Sequence, residues 1–424
     1  MVTTMGPRKM LEISLPSFTL VRLNYSVSVT MKTNLEGILR ICTYYSIMSM
    51  MRIAIVSPYA GSIVSFRGSL IEALVKRGIE VYVLAPDYSL DVKNAVKNLG
   101  AQPVDYFLKR TSMNPFLERK ALRSLKKVLC AVKPDVTLGY MHKGAMYSVL
   151  ASKAIGVKKR FALIEGLGYA FTDLGEKSFR RSIARFLATQ GYRFSLRYAT
   201  KVFFLNDDDM DELTKLGAVN KHKAVVIGGI GVDLQRWRYC EPPLSPITFI
   251  MVGRLLKEKG VYEYIEAAQM VKQLYPEVRF LLVGGTDDNP GSVPDAYLRS
   301  MVSKGILEWP GKVDNVQDYL RESSVFVLPS YYREGVPRST QEAMALGRPI
   351  ITTNVAGCRE TVEDGVNGFL VPPRNVNALV DAMTRLIENP QLITIMGKQS
   401  RRLAEERFDI RKQTEKLVSF LVDI

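Results

Sequence analysis

From Arg52 onward the chain alternates short apolar runs with amphipathic stretches, in two successive series divided by a proline-rich segment, Tyr239-Cys240-Glu241-Pro242-Pro243-Leu244-Ser245-Pro246. This alternation constrains the fold more than any other feature. Short buried strands interleaved with helices form βαβ units, and repeated units build a parallel sheet with helices on both faces. In the first series the predicted strands are Arg52–Ser57, Glu80–Ala85, Val104–Phe107, Val136–Gly139, Arg160–Ile164 and Lys201–Leu205, with helical patterns at about 67–77, 115–132, 143–155 and 179–198. In the second they are Thr248–Val252, Arg279–Val283, Val325–Leu328, Pro349–Thr352 and Phe369–Val371, with helices at about 260–274, 338–346, 375–388 and 391–406. Two doubly wound units in one chain leave a cleft between them, onto which the C-terminal strand ends open.

The same pattern sets the expected organisation. Residues 1–50 lack sustained periodicity and read as a loosely ordered extension, or as a segment ahead of a true start at Met48, Met50 or Met51. They carry no clear cleavage site and are not read as a signal peptide. A first α/β domain follows at 51–238, a linker at 239–246 and a second α/β domain at 247–408. A helix at 409–424 is expected to cross back to the first domain.

Composition removes several function classes. Apolar residues make up 47% of the 424 and charged residues 24%, which excludes a disordered, collagen-like or disulfide-stapled chain. No uncharged run reaches the ~18 apolar residues of a membrane span. The four cysteines, Cys42, Cys130, Cys240 and Cys358, stand singly and read as free thiols in a reducing compartment. Two histidines, His142 and His222, are too few for a His-rich metal site and argue against Ser-His-Asp hydrolysis. Charge is unevenly spread. Of a net +16, residues 101–200 hold 19 basic against 6 acidic side chains, whereas residues 251–424 hold 22 against 23. A basic field of this kind attracts a polyanion, either nucleic acid or an anionic membrane surface, unless it is simply a solvated basic face. No nucleic-acid recognition motif accompanies it.

The second half carries the motifs with most chemistry in them. A strand ending at Leu328 runs through a Gly-containing loop into a helix that starts near Pro337. The free N–H groups of a first helical turn, with the helix dipole, form an anion site. Glu334 precedes that helix and Glu342 lies within it, and carboxylates suit sugar hydroxyls because each oxygen accepts hydrogen bonds. A phosphate at the helix start with hydroxyls around it describes a sugar nucleotide. The plainer alternatives are a dipole partner for Glu334 and a solvated helical face for Glu342. In Val252-Gly253-Arg254-Leu255-Leu256-Lys257-Glu258-Lys259-Gly260 a strand enters a loop that carries Arg254 and Lys259. Those two cations suit a diphosphate, and ordinary surface charge is the alternative.

These residues together resemble retaining glycosyltransferases of family 4, which have the GT-B fold of two Rossmann-like domains facing a cleft. The resemblance covers about residue 51 to the C-terminus and rests on Glu334-x7-Glu342, Gly347-Arg348-Pro349-Ile350, the run Glu360 to Pro372, and Val252 to Gly260. It implies that Arg254 and Lys259 hold the donor diphosphate and stabilise its departure, and that Glu334 contacts donor-sugar hydroxyls. Gly335, Val336, Pro337 and Arg338 would lie against sugar and phosphate. Glu342 would bind the ribose, and the segment with Val313 and Val316 would receive the nucleobase. The nucleotide sugar, expected to be UDP-linked, is a substrate; no cofactor and no essential metal is expected.

The first half resembles a narrower group, enzymes that extend undecaprenyl-diphosphate-linked sugars for bacterial surface polysaccharides such as O-antigen or capsule. The pieces are Arg110 to Pro115, His142-Lys143, Glu165-Gly166-Leu167-Gly168-Tyr169-Ala170-Phe171, and Asn206-Asp207-Asp208. On the acceptor side this points to Arg110, His142, Lys143, Glu165 and Gly166, with Lys143 near phosphate. Glu165 departs from the His or Thr that many relatives have there; it assists catalysis, binds acceptor or is simply buried. Arg180, Arg181, Arg185, Arg193 and Arg197 alternate with Phe179, Phe186, Leu187 and Phe194, a pattern of a helix lying on a membrane or of a core helix with charged flanks. Asp207-Asp208-Asp209 matches a D-x-D pattern but stands where acidic residues stabilise a helix N-terminus without metal.

The expected partners are therefore a nucleotide sugar, a polyprenyl-diphosphate-linked acceptor and an anionic membrane surface, without nucleic acid. The expected place is cytoplasmic, peripheral on the inner membrane. Two other activities remain open at this level: a soluble glycosyltransferase acting on a small or polymeric sugar, and a catalytically silent scaffold of an assembly complex.

Overall fold

The computed structural model describes residues 50–422, apart from 111, 113, 174, 176–178, 287 and 288. The expectation for residues 1–50 thus falls, save Met50, outside the described residues.

The first sheet has seven strands, β1 (Arg52–Val56), β2 (Glu80–Ala85), β3 (Gln102–Asp105), β4 (Val136–Tyr140), β5 (Lys159–Ile164), β6 (Lys201–Phe204) and β7 (Ala224–Val226), in the order β3-β2-β1-β4-β5-β6-β7. The second has six, β8 (Thr248–Val252), β9 (Arg279–Val283), β10 (Glu308–Gly311), β11 (Val325–Leu328), β12 (Ile350–Thr353) and β13 (Gly368–Val371), in the order β10-β9-β8-β11-β12-β13. Every pairing is parallel. A parallel sheet is covered by helices on both faces, so its strands are continuous apolar runs. Accordingly Ile53 to Val56, Phe249 to Val252 and Val325 to Leu328 are all buried.

The helices of the first lobe are α1 (Ile63–Lys76), α2 (Leu90–Asn98), α3 (Pro115–Val132), α4 (His142–Ala154), α5 (Phe179–Leu196) and α6 (Asp207–Lys215). Those of the second are α7 (Val261–Leu274), α8 (Asp295–Ser303), α9 (Val316–Arg321), α10 (Arg338–Leu346), α11 (Val376–Glu388) and α12 (Pro390–Arg407), followed by α13 (Ile410–Val422). Helix α13 returns to the first lobe: Phe420 packs on Phe203, and Lys416 Nζ donates to the Val226 carbonyl at 2.9 Å.

Two differences from the sequence reading have simple physical causes. The third strand lies at Gln102–Asp105 rather than 104–107, at the sheet edge, where no residue of the strand is fully buried to mark the register. Strand β10 is also an edge strand, and Pro310 with a register shift hides it from any apolar pattern. The proline-rich segment is fixed along the second lobe. Buried Arg348 donates to the Cys240 carbonyl at 2.8 Å and the Ser323 carbonyl at 3.0 Å, and Ser324 Oγ to the Pro243 carbonyl at 2.6 Å. Cys130, Cys240 and Cys358 are free thiols.

In both sheets the chain reverses winding direction between the first strand and its fourth neighbour, β1 beside β4 and β8 beside β11. The loops leaving those strands diverge and open a crevice. The two crevices face one another.

Candidate functional site

The shared cleft has a volume of about 1090 Å³. From the second lobe, Arg254 follows β8, Lys259 ends the short turn after it, and Glu334, Gly335, Val336, Pro337 and Arg338 form the passage from β11 into α10. From the first lobe, Arg110, His142, Lys143, Glu165 and Gly166 line the same space. The structure does not bring Glu342, Val313 and Val316 to this lining. Glu342 lies behind Arg338 on α10, and Val313 and Val316 sit partly buried against the core near the start of α9.

Charges in the cleft come paired. Lys259 Nζ contacts the Glu334 carboxylate, which also accepts from Ser330 Oγ at 3.1 Å. The Tyr332 phenol lies with them; burial first and the Glu334 charge second push it up, while Arg254 draws it back. Helix α10 begins at Arg338 with Pro337 as its N-cap, whose side chain offers no acceptor to the first-turn N–H groups. Those groups are orphan donors, suited to an anion. Arg338 Nε donates to Glu342 Oε1 at 2.9 Å. Glu342 is mostly buried, at 15% side-chain exposure, so it is not on a solvated face; burial pushes its carboxyl up, against the pull of Arg338.

The first-lobe wall has a partner that the sequence did not announce. Arg67 of α1 pairs with Glu165, and both side chains are almost wholly buried, at 3% and 6% exposure. Burial lowers the guanidinium to about 10, and it lies 4.5 Å over the Tyr140 ring. Arg67 Nε and Glu165 Oε2 find no partner among the described residues. Glu165 is therefore buried as an ion-paired carboxylate with one oxygen unused. Lys143 donates to Glu118 Oε1 at 2.7 Å, the Lys109 carbonyl at 3.2 Å and the Ser112 carbonyl. With three donors so occupied, it fastens Lys109 and Ser112 to α3. His142 Nδ1 meets the Tyr192 hydroxyl at 2.6 Å. Crowding by protein first, and the Lys143 charge second, push this imidazole down to about 4, although its outer edge meets cleft water, which moderates the effect. Arg110 stacks over Tyr59 at 4.9 Å.

The acidic triplet does start a helix: Asn206 caps α6, accepting from Asp209 N at 2.8 Å. Its third carboxylate has a further contact, because buried Asp209 accepts from Arg333 Nε of the other lobe at 2.7 Å. Helix α5 borders the cleft with Ala184, Leu187 and Ala188. It buries Thr189, Tyr192, Ser195 and Leu196, and exposes Phe179, Ile183, Phe186, Leu187 and Phe194 beside Arg185, Arg193 and Arg197. Its outer face is thus both apolar and basic, unlike that of a core helix.

Comparison with known proteins identifies the family. Residues 246–389 match the family described as "Glycosyl transferases group 1". The chain is 31% identical over 364 residues to the N,N'-diacetylbacillosaminyl-diphospho-undecaprenol alpha-1,3-N-acetylgalactosaminyltransferase of Campylobacter jejuni, covering 82% of this chain and 93% of that protein. It is 25% identical over 379 residues to the UDP-Gal:alpha-D-GlcNAc-diphosphoundecaprenol alpha-1,3-galactosyltransferase of Escherichia coli, covering 84% and 95%. Among solved structures, Anabaena Alr3699/HepE in complex with UDP superposes with a TM-score of 0.68 at 16% identity, over 88% of this chain and 100% of that one. That last likeness shows the fold alone.

Proposed function

The chain belongs to the group 1 glycosyltransferases, family 4, with the GT-B fold, and from that premise we propose that it extends a lipid-linked sugar. It moves a hexose or N-acetylhexosamine from a UDP-linked donor to a sugar carried on undecaprenyl diphosphate, with retention of anomeric configuration. The product serves a surface polysaccharide such as O-antigen or capsule.

One observation carries this reading. Arg254 and Lys259 stand in the same hollow as the uncapped start of α10, across from a wall of first-lobe side chains. A diphosphate entering there takes Lys259 from Glu334 and frees that carboxylate for the donor sugar's hydroxyls. Arg254 and the α10 N–H groups stabilise the charge that grows on the leaving oxygen. The C1–phosphate bond breaks, the acceptor oxygen bonds to C1 from the same face, and its proton passes to a diphosphate oxygen. The nucleoside extends past the cleft lining: Glu342 takes the ribose once Arg338 turns from it to the donor phosphate, and the turn with Val313 and Val316 receives the base. On the other wall, Arg110, His142, Glu165 and Gly166 face the acceptor, and Lys143 keeps the adjoining loop in place.

The acceptor's lipid places the reaction at the cytoplasmic face of the inner membrane. No helix among the described residues is long and apolar enough to cross a membrane. Helix α5 instead offers Phe186, Leu187 and Phe194 with Arg193, and with Arg197 just past its end, to an anionic leaflet next to the cleft mouth.

The test is mass spectrometry of products from a panel of UDP-hexoses and UDP-N-acetylhexosamines with a synthetic undecaprenyl-diphosphate sugar. The expected result is one sugar added to the lipid acceptor and UDP released. Transfer to water-soluble sugars alone, or no transfer, would overturn the reading.

A further inference from the structure

The loop that presents Glu334 is held from two sides. Its first part is tied to its own lobe: Tyr331 N and Tyr332 N both donate to the Glu258 carbonyl, at 2.9 Å and 3.0 Å. The next three residues are tied to the other lobe. Arg333 N donates to Thr172 Oγ1 at 3.0 Å, and the Arg333 carbonyl accepts from Gly168 N at 3.2 Å. Asn206 Nδ2 donates to the Gly335 carbonyl at 2.7 Å and the Glu334 carbonyl at 3.3 Å. The Arg333 side chain reaches Asp209 Oδ1 through Nε at 2.7 Å and the Asp208 carbonyl through Nη2 at 2.9 Å. Asp209 itself is fully buried. The backbones interlock as well: a Cβ added to Gly335 would lie 2.8 Å from the Glu165 carbonyl, and one added to Gly166 would lie 2.6 Å from Gly335 N.

We infer that Arg333 is a positioning residue for the transfer reaction: gripped by Asp209 and the Asp208 carbonyl, it sets the backbone of Glu334 and Gly335 where the donor sugar is held, so that the loop is in working order only while the lobes are closed. The inference rests on the function proposed above. It gives Asn206 and the acidic triplet a use besides capping α6. The guanidinium is required for its shape. Its planar fork satisfies a carboxylate and a carbonyl at once, whereas an ammonium supplies only a point charge. Displacing Glu334 by even ~1 Å is enough to cost about 10²-fold in rate.

A second cross-lobe contact separates positioning from general adhesion. Arg359 Nη1 lies 3.5 Å from Asp208 Oδ2 and Nη2 donates to the Asn354 carbonyl at 3.1 Å; the side chain is exposed and, among the described residues, makes no hydrogen bond or ion pair to 329–337. The experiment therefore compares Arg333→Gln, Arg333→Lys and Arg359→Gln in the full chain, by kcat, KM, UDP affinity and hydrogen–deuterium exchange over 329–337. For Arg333→Gln the expected result is a kcat about 10²-fold lower with a UDP Kd within ~3-fold of wild type, and faster exchange in that segment. Arg333→Lys falls between, and Arg359→Gln leaves kcat within ~2-fold, as suits an exposed ion pair. Unchanged kcat in Arg333→Gln overturns the inference, as does unchanged exchange, or an equal loss in Arg359→Gln. A wild-type protein that transfers nothing to the lipid acceptor is a failure of the proposed function instead, and the exchange measurement still decides whether Arg333 sets the loop.

Discussion

The two sheets wind in the same order, yet their cleft-facing loops handle charge differently. In the second lobe, Lys259 and Glu334 oppose each other at the cleft, a few residues from glycines and a helix start, and an incoming anion can separate them. In the first lobe, Arg67 stands behind Glu165 at the cleft wall and holds it in an almost wholly buried pair, and Lys143 is spent on Glu118 and two carbonyls. On the proposed reading one wall exchanges partners and the other stays as it is. Exchangeable pairs suit a diphosphate that binds and leaves at each turnover. Fixed pairs suit a wall that must keep one shape, and the first lobe's exposed basic charge lies outside, along α5 and just past its end.

This contrast can be broken by substitution, most sharply in the fixed wall. Arg67→Met leaves the mostly buried Glu165 carboxylate at the cleft wall without its cation, and removing one partner of a buried pair costs about 3–5 kcal/mol. Urea unfolding is expected to show that loss, and Arg67→Met with Glu165→Leu to recover most of it. A single variant as stable as wild type would mean the pair is not fixed. In the exchangeable wall the cost falls on turnover. Glu334→Ala is expected to lower kcat by about 10²–10³-fold, with unchanged UDP affinity and a normal unfolding curve; undiminished transfer would remove Glu334 from the site. Lys259→Met is expected to weaken UDP binding by about 10–100-fold in calorimetry, the worth of a hydrogen bond to a charged group.

A smaller effect tests the seam between lobes. Burial holds the Asp209 carboxyl at about 6, above its ordinary 3.8, despite Arg333. Between those values the native chain keeps a proton that the unfolded chain has lost, so stability falls as pH rises through the window. Relative to Asp209→Asn, wild type should therefore lose on the order of 2 kcal/mol from about pH 4 to about pH 6 and stay level above. A difference moving in wild type's favour over that range would contradict the burial. The smallest effect concerns α5. Arg193→Gln and Arg197→Gln should each reduce flotation with anionic vesicles by about 1 kcal/mol, roughly 5-fold, and salt should reduce it further. Flotation indifferent to both would detach the basic face from the membrane.

The same contrast explains what could be read from the sequence. Glu334, Gly335, Pro337, Arg254 and Lys259 stand on loops between clear apolar strands and helices, so local pattern placed them. Arg67 and Glu165 are 98 residues apart, and Arg333 and Asp209 are 124 apart. Nothing near Arg67 or Arg333 in the chain signals its partner, because only the folded sheets bring them together. The strands buried on both faces were legible for their unbroken apolar runs. Helix α2, which buries only Val96, and the edge strands were not: β7 is three partly buried residues long, and β10 carries Glu308 and Pro310. For Glu342 the sequence offered a ribose-binding role, by resemblance, or a plain solvated face, and only the packing around Arg338 shows the side chain mostly buried.

A crystal structure of the chain with UDP tests the central claim most directly. The expected result is the diphosphate between the lobes, within hydrogen-bond reach of Arg254, Lys259 and the first-turn N–H groups of α10, with Lys259 turned from Glu334 to phosphate. A diphosphate bound elsewhere, or bound there with the Lys259–Glu334 pair still intact, would contradict it.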